Sequence, residues 1–390
     1  MIIAYEKLLS FAWVFLMLGM NCCSNDPGNQ RMQENFKTIY IGTYTSGESK
    51  GIYQCSFNQN TGKLSGLKLL AQNENPSFLT ISPDKKTLYC VNETMEFNGK
   101  PGGALSSFKI DHKNDSLHFI NEQLSNGGAP CHIITDKSGK FIFVSNYMGG
   151  NVSVYPIQID GSIGEMSCLI QHKGSGKDSN RQEAPHAHSL ILNPDDKFAY
   201  VSDLGIDKVM IYEVIPENGI LTAANSPWAN LEPGSGPRHF TFHPQGRYAY
   251  VINELNSSIT AFSFNDLDGS LQEIQTISTL PVDFGGSNSC ADIHISPSGK
   301  YLYGSNRGHN SIVSYSIDKK TGTLTLIDFE STLGETPRNF TLDSTGEYLL
   351  VANQDTNTIV TFRIDPQTGK LDFTENILSV PSPVCLKFLN

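Results

Sequence analysis

The 390-residue sequence predicts an all-β fold, a seven-bladed β-propeller with four antiparallel strands in each blade. A strand-turn-strand unit recurs at intervals of about fifty residues, a period typical of propellers and other repeat proteins. Six copies of this unit are complete, and the seventh is divided between the two ends of the chain. Hairpins with alternating apolar residues lie between the copies and supply the other strands of each blade.

The six complete copies share a polar turn followed by an aromatic and apolar strand. Two of them read HPQGRYAYVINE and SPSGKYLYGSNR. The copies occupy residues 82–93, 136–147, 193–204, 243–254, 296–307 and 343–354.

The divided copy predicts how the ring closes. Residues 37–44, KTIYIGTY, match the second strand of a copy, and residues 382–390, SPVCLKFLN, match the strand that should precede it. We therefore expect both ends of the chain to share one blade, which hides the edges that an open sheet would expose. The strands do not end in the Trp-Asp dipeptide of the common scaffold propellers.

Charge and cysteine content exclude some classes of function. The net charge is -11, with 28 Lys and Arg against 39 Asp and Glu, and no basic run is present, so we expect no nucleic-acid partner. The cysteines after the first 36 residues form no C-x-x-C pair, which argues against a zinc site and favours small buried apolar side chains. The sequence does not determine whether a disulfide forms among these cysteines, which are Cys55, Cys90, Cys131, Cys168, Cys290 and Cys385.

The N-terminal segment predicts export. Lys7 precedes an apolar run over residues 8–20 that is too short to span a bilayer comfortably, so residues 1–23 are interpreted as a signal peptide. Residues 24–36 are expected to be a flexible tether, with the propeller over residues 37–390. The expected location is the periplasm or cell envelope.

Two interpretations of this segment remain, and one of them includes a lipid anchor. Cys22 follows LGMN and resembles a bacterial lipoprotein processing site, although Asn21 departs from the small residue that usually precedes the cysteine. Plain cleavage is the alternative. An anchor at Cys22 would be the sole link to a membrane, and a monomer is expected.

Comparison between the copies separates structural from functional positions. One position at the end of the second strand carries a short polar residue in every blade, which is typical of side chains that satisfy backbone groups at a turn. Its members are Thr43, Asn92, Asn146, Asp203, Asn253, Asn306 and Asn353.

Two other positions vary sharply between blades. The residue after the polar position is Tyr44, Glu93, Tyr147, Leu204, Glu254, Arg307 or Gln354. The start of the first strand carries Ser77, Cys131, His188, Arg238, Ala291 or Arg338. In an antiparallel hairpin both positions lie at the same edge, and the first strand is innermost in a propeller blade. Four consecutive blades should therefore bring His188, Arg238, Glu254, Arg307 and Arg338 to one mouth of the central channel.

The expected cluster suits an anionic ligand. Arginine donors match carboxylate or phosphate and can stabilise an oxyanion, while His188 or Glu254 could accept a proton from water as general base. The alternative is an ordinary inter-strand ion pair between Arg238 and Glu254. By contrast, His243 and Arg247 flank a turn at the opposite end and are interpreted as structural.

Three further side chains are candidates for substrate binding. Glu93 shares the variable position with Glu254. His239 and His294 lie on strands near the channel, where a histidine can equally be structural.

Three stretches resemble the seven-bladed 6-phosphogluconolactonase family, which also includes fungal carboxymuconate cyclases. They are GPRHFTFHPQGRYAYVINELNSSI at 236–259, ADIHISPSGKYLYGSNR at 291–307 and APHAHSLILNPDDKFAYVSD at 184–203. The resemblance covers nearly all of residues 38–390. It implies hydrolysis of an internal ester in a sugar acid, or the reverse closure in a dicarboxylate, without a cofactor or a required metal.

The resemblance also implies a catalytic set. His188 of HAHS, Arg238 of GPRH, Glu254 of NEL and Arg307 of SNR match the motifs that carry the family's proposed site. Arg238 and Arg307 would hold the substrate's anion and the developing oxyanion. Glu254 or His188 would activate water or protonate the ring oxygen.

The expected export and two long loops leave the identity of the substrate undetermined. The family's named substrate is a cytosolic phosphorylated lactone, whereas this chain is expected to be exported, so both phosphorylated and plain sugar lactones are considered. Residues 93–103 and 171–185 form longer segments than their counterparts and are expected on the face of the site, where they could set specificity. The alternatives to a lactonase are a non-catalytic envelope ligand-binding propeller and a muconate-type cycloisomerase.

Overall fold

A computed structural model describes residues 35–389, which form the seven four-stranded blades that the sequence predicts. The signal peptide and the lipid site at Cys22 lie outside these residues, as does most of the tether. The first strand begins at Phe36, so this residue belongs to the propeller and the predicted boundary at residue 37 is one residue late.

The blades follow one another in chain order around the ring, and the strands of each blade are named from the inner to the outer. Blade 1 is β30 (Pro383–Leu389), β1 (Phe36–Thr43), β2 (Gly51–Asn58) and β3 (Leu64–Gln72); blade 2 is β4 (Leu79–Ile81), β5 (Thr87–Asn92), β8 (Ala104–Asp111) and β9 (Ser116–Leu124). Blade 3 is β10 (Pro130–Thr135), β11 (Phe141–Asn146), β12 (Asn151–Pro156) and β13 (Cys168–Gln171); blade 4 is β14 (Ala187–Leu192), β15 (Phe198–Asp203), β16 (Lys208–Ile215) and β17 (Ile220–Asn230). Blade 5 is β18 (Pro237–Phe242), β19 (Tyr248–Asn253), β20 (Ser258–Phe264) and β21 (Leu271–Ser278); blade 6 is β22 (Ser289–Ile295), β23 (Tyr301–Arg307), β24 (Ser311–Ile317) and β25 (Leu324–Ser331). Blade 7 is β26 (Pro337–Leu342), β27 (Tyr348–Asn353), β28 (Thr358–Ile364) and β29 (Leu371–Ser379); the short pair β6 (Glu96–Phe97) and β7 (Lys100–Pro101) and one 3₁₀ turn, Leu204–Ile206, lie in loops.

The two ends of the chain close the ring as expected. Strand β30 pairs antiparallel with β1, with Ile41 opposite Leu386 and Ile39 opposite Phe388. Each inner strand also contacts the inner strands of the neighbouring blades, including β30 with β4. Because the first and last blades meet in this way, the ring has no open seam between them.

Buried tyrosines on the second strands tie successive blades together. Each ring is fully buried, and a buried tyrosine hydroxyl needs a hydrogen-bond partner. The hydroxyl in each case donates to a glycine carbonyl in an outer turn of the next blade. The pairs are Tyr89 with Gly161, Tyr200 with Gly269, Tyr250 with Gly322 and Tyr303 with Gly369, at 3.1, 2.7, 2.8 and 3.0 Å.

The invariant polar position serves the blades, as the sequence indicated. Asn306 Nδ2 donates to the backbone oxygen of Thr279 at 2.7 Å, and Asn353 Nδ2 donates to that of Thr332 at 2.9 Å. These bonds fix the connections that enter blades 6 and 7 to the ends of their second strands. At the opposite end, His243 is buried and its Nε2 lies 2.9 Å from the oxygen of Gly299, while Arg247 is exposed. Both are turn residues, as expected.

The six cysteines of the described chain are all free thiols, and five of them are buried. They pack as small apolar side chains. No helix within residues 35–389 is long and apolar enough to cross a membrane.

Candidate active site

Backbone irregularities at one end of the channel place the variable side chains. In blade 5, Pro237 pairs with Asn253 and His239 pairs with Ile252, so Arg238 between them has no partner in the register. The same shift leaves His188 unpaired in blade 4 and Arg338 unpaired in blade 7. A β-bulge bends its strand and re-aims a side chain. The bulges explain why His188, Arg238 and Arg338 face one end of the channel. We call this end the arginine mouth and define it by His188, Arg238, Glu254, Arg307 and Arg338.

Glu254 is the centre of the arginine mouth. Its Oε2 lies 3.0 Å from Arg238 Nε and 2.8 Å from Arg307 Nη2. Only 2% of the Arg238 side chain and 7% of the Glu254 side chain are exposed. The inter-strand ion pair considered from the sequence is therefore present, and it is part of a larger buried cluster.

The arginines keep Glu254 ionised. Burial alone would raise the pKa of its carboxyl, but Arg307, Arg238 and Arg181 together lower that pKa to about 2. Both of its carboxylate oxygens lie within hydrogen-bond distance of guanidinium groups. Its place between the guanidinium groups makes it a positioning residue for Arg238 and Arg307.

A third arginine, which the sequence did not predict, contacts Glu254. Arg181 Nη2 lies 2.5 Å from the second carboxylate oxygen, Oε1, and 3.3 Å from the hydroxyl oxygen of Tyr147. Arg181 belongs to the long loop at residues 171–185, which the sequence placed on this face without singling out a residue. Tyr147 occupies the variable position and was likewise passed over.

A second chain of polar groups lines the other side of the arginine mouth. Arg338 Nη2 donates to the hydroxyl of Tyr44 at 2.8 Å, and that hydroxyl donates to Glu93 Oε2 at 2.9 Å. Ser77 Oγ donates to the same oxygen at 2.5 Å. Glu93 thus joins the site as a partner of Tyr44 and Arg338. The three arginines and Glu254 give the arginine mouth two net positive charges, and the adjoining pair of Arg181 and Glu93 leaves that net charge unchanged.

His188 borders a small cavity at the base of this cluster. The cavity has a volume of about 10 Å³, and Glu93, Arg238 and Arg338 also line it. That volume corresponds to about one water molecule. Burial, followed by the positive charge of Arg238, holds the pKa of His188 well below its usual value, so the imidazole is neutral at neutral pH.

His239 and His294 lie progressively deeper in the channel. The rings of His239 and His188 contact edge-on, with their centroids 5.4 Å apart. The Nδ1 of His239 lies 2.7 Å from Asp292 Oδ1. His294 Nε2 lies 3.1 Å from Asp292 Oδ2. The sequence analysis did not identify Asp292, which is fully buried between the two histidines.

His294 is separated from the arginine mouth. It stands three residues beyond Ala291 on β22, and a strand advances about 3.3 Å per residue, so its side chain reaches the other end of the channel. There it lines a cavity of about 460 Å³ with Lys387. We call this end the opposite mouth. The structure therefore places His294 away from Glu93 and Arg338, although it shares Asp292 and this cavity with His239.

The arginine mouth can bind an anion and polarise a carbonyl. Arg238 uses Nε for Glu254 and Nη1 for the backbone oxygen of Ala291, and its Nη2 makes no hydrogen bond to a residue in the range 35–389. Such fixed, positively charged donors stabilise a developing oxyanion. Within the same range, no three His, Cys, Asp or Glu side chains are arranged to hold a metal ion.

Comparison with known proteins identifies the relatives of this chain. The family model described as "Lactonase, 7-bladed beta-propeller" matches residues 38–388. The 6-phosphogluconolactonase of Bacillus subtilis is 36% identical over 351 residues, which cover 90% of this chain and 98% of the relative. That of Formosa agariphila is 39% identical, covering 78% and 86%. The structure of the periplasmic gluconolactonase of Pseudomonas aeruginosa superposes with a TM-score of 0.86 and 33% identity, covering 91% and 99%.

Proposed function

The chain belongs to the seven-bladed β-propeller lactonase family, and on that premise we propose that it hydrolyses the internal ester of an anionic sugar lactone. The products are aldonic acids, such as 6-phosphogluconate or a related sugar acid. The observation that carries this proposal is the buried Glu254, held by arginines from neighbouring blades beside a neutral histidine.

Substrate binding takes place above the small cavity. A volume of about 10 Å³ admits one water molecule and no sugar ring, so the lactone rests on the arginine mouth with its carbonyl towards Arg238 and Arg307. Glu254 keeps these two guanidinium groups in position. Their remaining donors stabilise the oxyanion that forms on the carbonyl oxygen.

His188 is the group best suited to activate water. It is neutral, borders the cavity and therefore has a ring nitrogen able to accept a proton. The water oxygen attacks the lactone carbonyl carbon, His188 takes the proton, and the bond from that carbon to the ring oxygen breaks. The proton then passes to the departing ring oxygen, which leaves the open-chain acid.

The test is acid release from lactones by the purified protein. δ-Gluconolactone and 6-phosphogluconolactone are offered separately, and the rate is compared with spontaneous opening at the same pH. Catalysed release from either one supports the proposal. Tight binding without turnover would favour a ligand-binding propeller, and ring closure of a carboxymuconate would favour a cycloisomerase.

The location and assembly of the protein are part of the same proposal. We propose that residues 1–23 direct export to the periplasm or envelope, with Cys22 as the lipid attachment point, and that the protein is a monomer. Cell fractionation with mass spectrometry of the mature N-terminus tests export and lipidation. Sedimentation of the purified protein tests the monomer.

A further inference from the structure

We propose that Arg181 selects lactones with an anionic group remote from the carbonyl, exchanging Glu254 for that group when the lactone binds. This inference rests on the proposed lactonase function and adds a specificity residue to it. The group is a phosphate or carboxylate at the end of the sugar remote from the lactone carbonyl.

The loop that carries Arg181 is held at both ends by one carboxylate. Asp203 Oδ2 lies 2.6 Å from His172 Nδ1 where the loop leaves β13, and Asp203 Oδ1 accepts a bond of 2.7 Å from the His186 backbone nitrogen before β14. Asp203 is the one carboxylate at a position that is asparagine in five other blades. The loop explains this departure, because the two oxygens of a carboxylate can each accept a hydrogen bond from one end of the loop.

The middle of the loop is anchored next to Arg181. Gln182 is fully buried, and its Nε2 donates to the backbone oxygen of Leu204 at 2.8 Å and to Asp207 Oδ1 at 2.7 Å. The backbone beside Arg181 is therefore fixed against blade 4. The half-exposed Arg181 side chain therefore extends from a fixed backbone over the arginine mouth.

Exposure distinguishes Arg181 from the other arginines on Glu254. Its side chain is 41% exposed, against 2% for Arg238 and 13% for Arg307. Exposed ion pairs contribute little because water competes for them, whereas buried pairs are costly to separate. An arriving anion can thus replace Glu254 as the partner of Arg181, while Arg238 and Arg307 keep the carboxylate in place.

The position of Arg181 fits the remote end of a substrate. The buried arginines and His188 surround the point where the lactone carbonyl reacts, and Arg181 reaches the same carboxylate from the solvent side. A guanidinium group matches phosphate and carboxylate through two parallel donors. Both kinds of anion are therefore included in the proposal.

The test uses stable product acids, because their binding requires no turnover. Calorimetry measures the affinities of gluconate, glucarate and 6-phosphogluconate for the full-length protein, for Arg181→Ala and for Lys177→Ala. Lys177 is exposed on the same loop, faces a separate depression beside Glu232 and carries the same charge, so its removal controls for net charge. Thermal unfolding confirms that each variant folds, and Arg181→Gln replaces Arg181→Ala if the latter does not.

The expected result is a preference for a doubly charged acid that depends on Arg181. The wild type and Lys177→Ala should bind glucarate or 6-phosphogluconate more tightly than gluconate, and loss of Arg181 should reduce that ratio by about tenfold. Whichever acid shows the preference identifies the anion as carboxylate or phosphate. The inference is overturned if the wild type shows no preference, or if the ratio survives the loss of Arg181. Failure of the lactone assay alone would instead count against the proposed hydrolysis.

Discussion

The two ends of the channel are built from the same seven inner strands and differ in chemistry. At the arginine mouth, β-bulges turn Arg238 and Arg338 towards the channel, and the ends of the second strands add Glu254 and Arg307. At the opposite mouth, the inner strands run in regular register to short turns, and the wide cavity there is lined by His132, His239 and His294 together with Lys137 and Lys387. The comparison teaches that the bulge, and not the channel itself, gathers the reactive groups.

The largest expected effect follows from replacing the central carboxylate of the arginine mouth. Glu254→Gln should lower kcat/KM for the lactone by about 100-fold to 1000-fold, because Arg238, Arg307 and Arg181 then lose the charge that orients them. Steady-state kinetics measures the change. Glu217→Gln, on an exposed turn, is the matched control. Equal kcat/KM in the two variants would show that Glu254 has no part in catalysis.

An effect of comparable size is expected on stability. Arg238→Met should destabilise the protein by about 3–5 kcal/mol, because it leaves a buried carboxylate short of a partner. Urea unfolding measures the loss, with Arg247→Met on the exposed turn as control. The double variant Arg238→Met with Glu254→Gln should lose less than the sum of the single variants. A simple sum would show that the pair is not coupled.

The pH dependence should reveal a histidine that is already neutral. Burial and nearby arginines depress the pKa of His188, so lowering the pH through 6.5 leaves it unprotonated and able to accept a proton. We expect kcat/KM to stay level between about pH 7 and pH 5.5. Rates corrected for spontaneous opening test this. A fall with a midpoint near 6.5 would point to a histidine with an ordinary pKa.

The smallest effect should come from the opposite mouth. His294→Gln should change kcat/KM by no more than about twofold, since it is remote from the arginine mouth and the amide can still donate to Asp292. The same lactone assay measures it. A loss comparable to that of Glu254→Gln would show that both ends of the channel take part.

Internal repetition explains how much of the site the sequence could predict. The split seventh copy predicted closure, and the two variable positions predicted that His188, Arg238, Glu254, Arg307 and Arg338 would meet. These inferences succeeded because every blade offers the same comparison. Because the backbone geometry is the same in each blade, a residue type that differs at one repeat position can be assigned to a known place in the fold.

The same comparison could not find Arg181. Its loop has no equivalent in the other blades, and its contact with Glu254 joins residues 73 positions apart. A signal was nevertheless present in Asp203, the carboxylate that replaces asparagine and holds both ends of the loop. The place of His294 was hard to predict for a different reason. A histidine on an inner strand can face either end of the channel, and its place depends on distance along the strand.

A crystal structure with the product acid tests the central claim most directly. We expect the acid at the arginine mouth, with its carboxylate within hydrogen-bond distance of Arg238 or Arg307 and beside His188. An acid bound in the 460 Å³ cavity of the opposite mouth, with the arginine mouth unchanged, would contradict the account.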